Sequence, residues 1–229
     1  MTNGLEAIYD PHARVLAVDV CGTLYDANTT AGFVQHHHHR MGNRTRDFLL
    51  NLITGPHQPL RFACILLTKL IRIDVHRNIT IFTLRGENIE ELERSAREYA
   101  ERLDAVRIPE VHERVGRMLD EGWAPVLVSN SIDLIILQIA RKLDVPYISS
   151  RVRCVDGRCT GKLDSDLTGK KRVYLENYLN RPLCREHFSV ITDNRSDTDL
   201  IEASENAILI SHTGPKKWME KHNAEVVQL

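Results

Sequence analysis

No apolar run in this sequence is long enough to cross a bilayer. The longest, Phe62 to Leu67, is a fraction of the roughly 20 residues that a membrane helix needs. Charge of one sign is lacking too. Lys and Arg number 30 against 31 Asp and Glu, a formal net charge of -1, which excludes the strongly basic surface of a nucleic-acid or acidic-lipid binder. Cysteine is sparse and odd in number, at five, so the thiols cannot all pair within one chain. The opening MTNGLEAIYDPHAR has no basic stretch followed by an apolar run and a small-residue cleavage site. These absences together predict a cytoplasmic protein with reduced thiols. Repeats and low-complexity linkers are missing as well. What remains is a chain of 229 residues, 42% hydrophobic, enough for one α/β domain or for a core carrying a smaller inserted lid.

The strongest element is Val15-Leu-Ala-Val-Asp-Val20, a short and nearly continuous apolar run of the kind that forms a buried parallel strand. It leads into Cys21-Gly22-Thr23, where glycine lets the chain turn. Pro125 to Ser129 predicts a second strand, Pro146 to Ser149 a third, Phe188 to Thr192 another, and Ala207 to Ser211 the last. Val152 to Gly161 predicts a hairpin turning at Asp156-Gly157. Helices are predicted over Val111 to Glu121, over Ile132 to Leu143 with Ser131 as its cap, and over Lys171 to Leu179. Residues 27–108 differ: Phe48 to Ile53, Phe62 to Ile71 and Glu90 to Leu103 have helical spacing, and few segments resemble strands. The expected fold is α/β, a Rossmann-like parallel sheet core from residues 1–26 and 109–229 with an inserted α-helical cap over 27–108.

Polar residues recur at strand ends. Asp19 closes the first strand, Ser129 the second, and Asp193 follows Thr192 with Asp197 four residues on. Ends of parallel strands meet at one edge, where such sheets place ligands. Lys171, at the start of a helix, can join them. Carboxylates crowded together repel, and a divalent cation relieves that; all-oxygen donors favour Mg²⁺ over zinc. The set then suits an anion, with Asp19 as nucleophile, Lys171 neutralising charge, and Ser129, Asn130 and the backbone around Gly22 and Thr23 holding its oxygens.

Asp19-Val-Cys-Gly-Thr-Leu-Tyr-Asp26 resembles the first motif, D-x-D-G-T, of the haloacid dehalogenase superfamily. Val126-Leu-Val-Ser129 resembles the second motif, Lys171 the third-motif lysine, with Lys170 as its competitor, and Thr192-Asp-Asn-Arg-Ser-Asp197 the acidic fourth. The order and spacing fit, and the hairpin Val155 to Gly161 is similar to that of the phosphoserine-phosphatase-like branch. The resemblance implies Mg²⁺ held by Asp19, the backbone carbonyl of Cys21 and Asp193, with Asp197 nearby. It implies a hydrolase working through an aspartyl-enzyme intermediate, most simply a phosphatase or phosphotransferase on a small phosphorylated metabolite, without nucleic-acid or membrane partners.

One position departs from that pattern. The family's phosphatases carry a second aspartate two residues after the nucleophile, as general acid and base; here it is Cys21. Such help is worth ~10²–10⁴ in rate. A thiol near pKa ~8.5 is protonated at neutral pH and can donate, but it is a weaker hydrogen-bonding group. The departure leaves open a substrate with a good leaving group, a proton from the cap, a carbon–halogen or carbon–phosphorus hydrolase acting through Asp19, and a catalytically reduced binding protein. Two further clusters stand out. His36 to His39 read as solvated or cap-facing residues rather than a metal site, since at most two consecutive helical residues share a face. Cys154, Cys159, Cys184 and His187 could hold zinc, although hairpins of this kind need no cysteine.

Overall fold

The structure is a computed structural model and describes residues 12–54 and 74–229. The apolar segment Phe62 to Ile71 lies outside them. β1 (Arg14–Val18) is buried from Val15 onward. Leu16 and Val18 enter one apolar cluster, Val15 and Ala17 another on the opposite face. A strand covered on both sides has no wet face, which is why it reads as an unbroken apolar run.

β2 (Trp123–Ile132), β3 (Tyr147–Val155), β4 (Arg158–Ser165), β5 (Phe188–Thr192), β6 (Asn206–Ser211) and β7 (Ala224–Gln228) complete a seven-stranded sheet in the order β4-β3-β2-β1-β5-β6-β7. Every neighbouring pair is parallel except β3 and β4. The chain builds outward from β1 to β3 on one side, then crosses to β5, β6 and β7 on the other. β1 and β5 therefore flank the point where strand order reverses, and a crevice opens there at the carboxyl ends of the strands.

Eight α-helices are seen among the described residues: α1 (Thr29–Arg40), α2 (Arg44–Thr54), α3 (Val75–Phe82), α4 (Ile89–Arg102), α5 (Pro109–Asp120), α6 (Asp133–Leu143), α7 (Lys171–Leu179) and α8 (Thr198–Ala203). α1 to α4 all stand between β1 and β2. Local chemistry starts three of them: Asn28, Asp74 and Asn88 each accept a backbone N–H of the first turn. Phe33, Val34, Leu50, Ile81 and Leu92 from these helices, with Leu84 from the turn after α3, share the apolar cluster of Leu16, Val18 and Ile135. No helix among the described residues is long and apolar enough to cross a membrane.

Several expectations are corrected. Ser131 does not cap α6, whose N-cap is Ile132 without a side-chain bond; Ser131 lies in β2. The third strand does not stop at Ser149 but runs on to Val155 as the first arm of the hairpin. That hairpin turns at Asp156-Gly157 as expected, both with positive φ, 49° and 72°. Ala207 to Ser211 is not the last strand, since β7 pairs beside it.

Candidate active site

The site assembles where β1, β2 and β5 end. Asp19 continues β1: its N–H donates to the Ile191 carbonyl of β5 at 2.9 Å, and its carboxylate accepts the Val20 N–H at 2.8 Å. Lys171 opens α7 and is 1% exposed. Its ammonium lies 3.0 Å from Asp19 Oδ1 and 2.7 Å from Asp197 Oδ2, while Lys170 is exposed. Burying an ammonium is tolerable only with charged partners, and Lys171 has two. Burial lowers the Lys171 pKa, but the two carboxylates outweigh it and the net direction is up. Asp19 is pushed up to about 7, first by burial, against the pull of Lys171 and with Asp197 and Asp193 adding repulsion.

Asp197 was expected beside a cation, yet it is committed elsewhere. Its Oδ2 takes both Lys171 and the Thr192 hydroxyl, at 2.7 Å each, and its Oδ1 takes Ser196 at 3.3 Å. It fixes the lysine and does not line the cleft. While the role expected of Thr23 on the substrate rests on its backbone, its side chain is buried and turned to Asp193. It donates to Oδ1 at 3.2 Å and accepts the Asp193 N–H at 3.0 Å. Gly22 lies against the same carboxylate; with φ at +70° and a built Cβ only 2.4 Å from Asp193 Oδ2, no other residue fits there undisturbed.

Asp19, Cys21, Gly22, Ser129, Asn130 and Asp193 line one cleft of about 650 Å³. Burial also raises the Asp193 pKa. Two crowded carboxylates, Asp19 and Asp193, face one space whose lining also holds His76 and His212, the latter engaged with the Gly22 carbonyl; the paired carboxylates suit a hard divalent cation. The cleft owes its β2 side to an irregularity: pairing with β3 shifts register between Ser129 and Ile132. That bulge carries Ser129 to Ser131, and Ser131 Oγ there meets the Cys21 thiol. Ser129 Oγ accepts the Ser131 N–H at 3.2 Å, and Asn130 Oδ1 has no hydrogen-bond partner among the described residues.

Sequence reasoning missed four contributors. Thr29 and Ser131 form a triangle with Cys21: Sγ lies 2.9 Å from Thr29 Oγ1 and 3.0 Å from Ser131 Oγ, and the hydroxyls are 2.7 Å apart. Burial first, and then Asp19, raise the Cys21 thiol pKa, so it stays protonated at neutral pH. His212, after β6, lies 2.7 Å from the Gly22 carbonyl through Nε2. Arg77 reaches across from α3, donating to Asp166 at 2.8 Å, to Thr168 at 3.1 Å and to the Asn130 carbonyl at 2.5 Å. Only Thr29 carried a signal, as a hydroxyl at a helix start soon after Asp19.

The haloacid dehalogenase-like hydrolase family model matches residues 16–202. The chain belongs to this family. No curated protein matches its sequence. Among solved structures, an apo phosphoserine phosphatase superposes with a TM-score of 0.60 at 14% identity, covering 93% of both chains. A protein of unknown function from Bordetella pertussis Tohama I superposes at 0.70 with 17% identity, covering 94% of this chain and 98% of its own. A cytosolic 5'-nucleotidase IIIB bound to cytidine gives 0.55 at 14% identity, covering 98% and 85%. At such identities these likenesses are of fold.

The remaining clusters fall outside the cleft. His36, His37 and His38 are buried among the helices rather than solvated, and His39 alone of the four is exposed. Cys154 and Cys159 face each other across the β3–β4 hairpin. Cys184 and His187 group instead with Glu186, so the four-residue zinc set is not assembled.

Proposed function

We propose that this hydrolase is a Mg²⁺-dependent phosphatase or phosphotransferase acting on a small phosphorylated metabolite through an aspartyl-phosphate at Asp19. The observation that carries the reading is the buried row Asp19–Lys171–Asp197 at the strand ends, with Asp193 facing the same cleft. Asp19 attacks phosphorus in line, breaking the bond to the leaving oxygen, and water then releases phosphate from Asp19. Lys171, anchored by Asp197, favours the ionised form of the Asp19 carboxylate against its burial and orients it. The Ser129 hydroxyl and the Asn130 side-chain N–H donate to phosphoryl oxygens. Mg²⁺, held by Asp19, the Cys21 carbonyl and Asp193, would neutralise phosphoryl charge. Residues 27–108 act as a cap over the core of 1–26 and 109–229 and exclude water when closed. The four described cysteines are all free thiols, which suits the reducing cytoplasm.

Cys21 tunes the choice of substrate. A neutral thiol held by Thr29 and Ser131 is a weak acid for a leaving alkoxide, so acyl phosphates, which leave without protonation, are preferred over alkyl esters. The test is a Mg²⁺-dependent hydrolysis screen of phosphomonoesters, acyl phosphates and phosphonates with native protein, Asp19→Asn and Cys21→Asp. Native turnover that disappears in Asp19→Asn supports the reading. Cys21→Asp should raise alkyl-ester turnover by ~10²–10⁴. Turnover of haloacids without Mg²⁺ would instead favour carbon–halogen hydrolysis through Asp19. Activity in Cys21→Asp alone would point to a binding protein on this fold.

A further inference from the structure

The buried histidines of α1 make a second polar centre, unconnected to the chemistry at Asp19. His37 and His38 are fully buried, and Glu87, just before α4, has a side chain 16% exposed. One donor atom from each of the three lies within 4.8 Å of those of the other two. We propose that His37, His38 and Glu87 form a binding site for a zinc-type divalent transition metal that staples α1 to the α3–α4 connection.

The His37–Glu87 spacing is that of two ligands on one ion. His37 Nε2 and Glu87 Oε2 are 3.4 Å apart, and His37 Nε2 has no hydrogen-bond partner. A tetrahedral ion with bonds of ~2.0–2.1 Å separates its ligands by ~3.3–3.4 Å.

The surrounding hydrogen bonds leave lone pairs where a metal needs them. The Thr83 hydroxyl donates to the Thr80 carbonyl at 2.7 Å. In its 3.0 Å contact with His38 Nε2 it must therefore accept, so the His38 proton sits on Nε2. Nδ1 keeps its lone pair, buried and without a partner. His37 Nδ1 lies 2.8 Å from Ser95 Oγ, which can accept its proton and leave Nε2 free as a donor. Outer hydrogen bonds that fix the tautomer are the usual company of a metal-bound imidazole. Glu87 is steadied likewise: Arg46 bonds Oε1 and also reaches the Arg85 carbonyl, which leaves Oε2 facing His37.

Two nitrogens and one carboxylate suit Zn²⁺ or Co²⁺, with water in a fourth position, and not Mg²⁺, which prefers oxygen throughout. The centre is thereby distinct in chemistry from the cleft at Asp19 and Asp193. Its place in the helices suits a structural clamp, because the three ligands come from α1 and the turn that separates α3 from α4.

Full-length protein, stripped with chelator and held in excess Mg²⁺ to occupy the oxygen site, would be titrated with Co²⁺ and then Zn²⁺. The expected result is one Co²⁺ per chain with the visible bands of a tetrahedral nitrogen–oxygen site and no sulfur charge-transfer band. Zn²⁺ should displace it and raise the melting temperature. Glu87→Gln and His38→Leu should lose the spectrum and the thermal shift. Thr83→Val keeps all three ligands but drops the bond that sets the His38 tautomer, and should weaken binding by roughly 10–100-fold. If His38→Leu fails to fold, the other two variants decide. The proposal is overturned if native protein shows no Co²⁺ spectrum, if the spectrum has a sulfur band that Cys184→Ser removes, or if Glu87→Gln binds Co²⁺ as tightly as native protein.

Discussion

Two groups of ionisable side chains are buried in this protein, and they are kept there by opposite means. At the strand ends, Lys171 sits between Asp19 and Asp197, and every charge has a partner within 3.0 Å. In the helices after β1, His37 and His38 are neutral, and buried nitrogens lack hydrogen bonds. The first group is a mutually compensated network in which each member's removal exposes another's charge. His37 and His38 carry no charge to compensate, so removing either leaves no bare charge behind. A buried polar cluster therefore does not announce by its burial whether it supports the fold or only awaits a ligand.

Lys171→Met should break the comparison hardest. It leaves two carboxylates buried without a cation, and urea denaturation should show a loss of about 3–5 kcal/mol, together with loss of turnover. Gly22→Ala comes next. The new methyl meets Asp193 in a backbone conformation that alanine resists, so stability should fall by about 1–3 kcal/mol, and the Mg²⁺ concentration for half-maximal activity should rise. The smallest effect is expected from His38→Leu in chelator at pH 7, within about 1 kcal/mol of native, because the leucine removes an unpaired buried nitrogen.

Acid should separate the two groups by sign. His38 has its folded pKa lowered from 6.5 to about 4, so its contribution is present above pH 6.5 and lost as pH falls towards 4. Asp19 has its folded pKa raised from 3.8 to about 7, so without metal its contribution is full below pH 3.8 and lost as pH rises through 7. Stability curves in chelator should show His38→Leu gaining on native protein below pH 6.5. Asp19→Asn should gain on it above pH 4. Parallel curves for the two variants would erase the distinction.

The sheet was legible wherever both faces of a strand are covered. β1 and β5 have no alternation to obscure them, and β5 was read to the residue. β7 escaped because it is an edge strand, Ala224-Glu-Val-Val-Gln228, with Glu225 and Gln228 exposed and the rest only half-buried; it resembles a polar tail. Asp19 and Asp193 were legible because an aspartate ending an apolar run has few structural reasons to be there. The hold of Asp197 on Lys171 and of the Thr23 hydroxyl on Asp193 was not, since a carboxylate or hydroxyl close to a site can hold another residue as readily as a ligand, and only packing decides. Cys21, Thr29 and Ser131 converge from a loop, a helix start and a strand bulge, and no spacing in one segment encodes such a meeting. The histidines misled because consecutive positions spread around a helix, yet here α1 is covered on several sides at once, by α4, α3 and α6.

Arg77 joins α3 to Asp166, Thr168 and the carbonyl of Asn130. Lifting α3 from the sheet edge must break these bonds together, and the Asn130 bond lies in the bulge that carries Ser129. On the proposed function, the motion that admits a substrate also slackens the loop that would grip its phosphoryl oxygens, and the motion that traps it tightens that loop again. Entry and arming are then one event governed by one guanidinium. An enzyme wired in this way is idle while open.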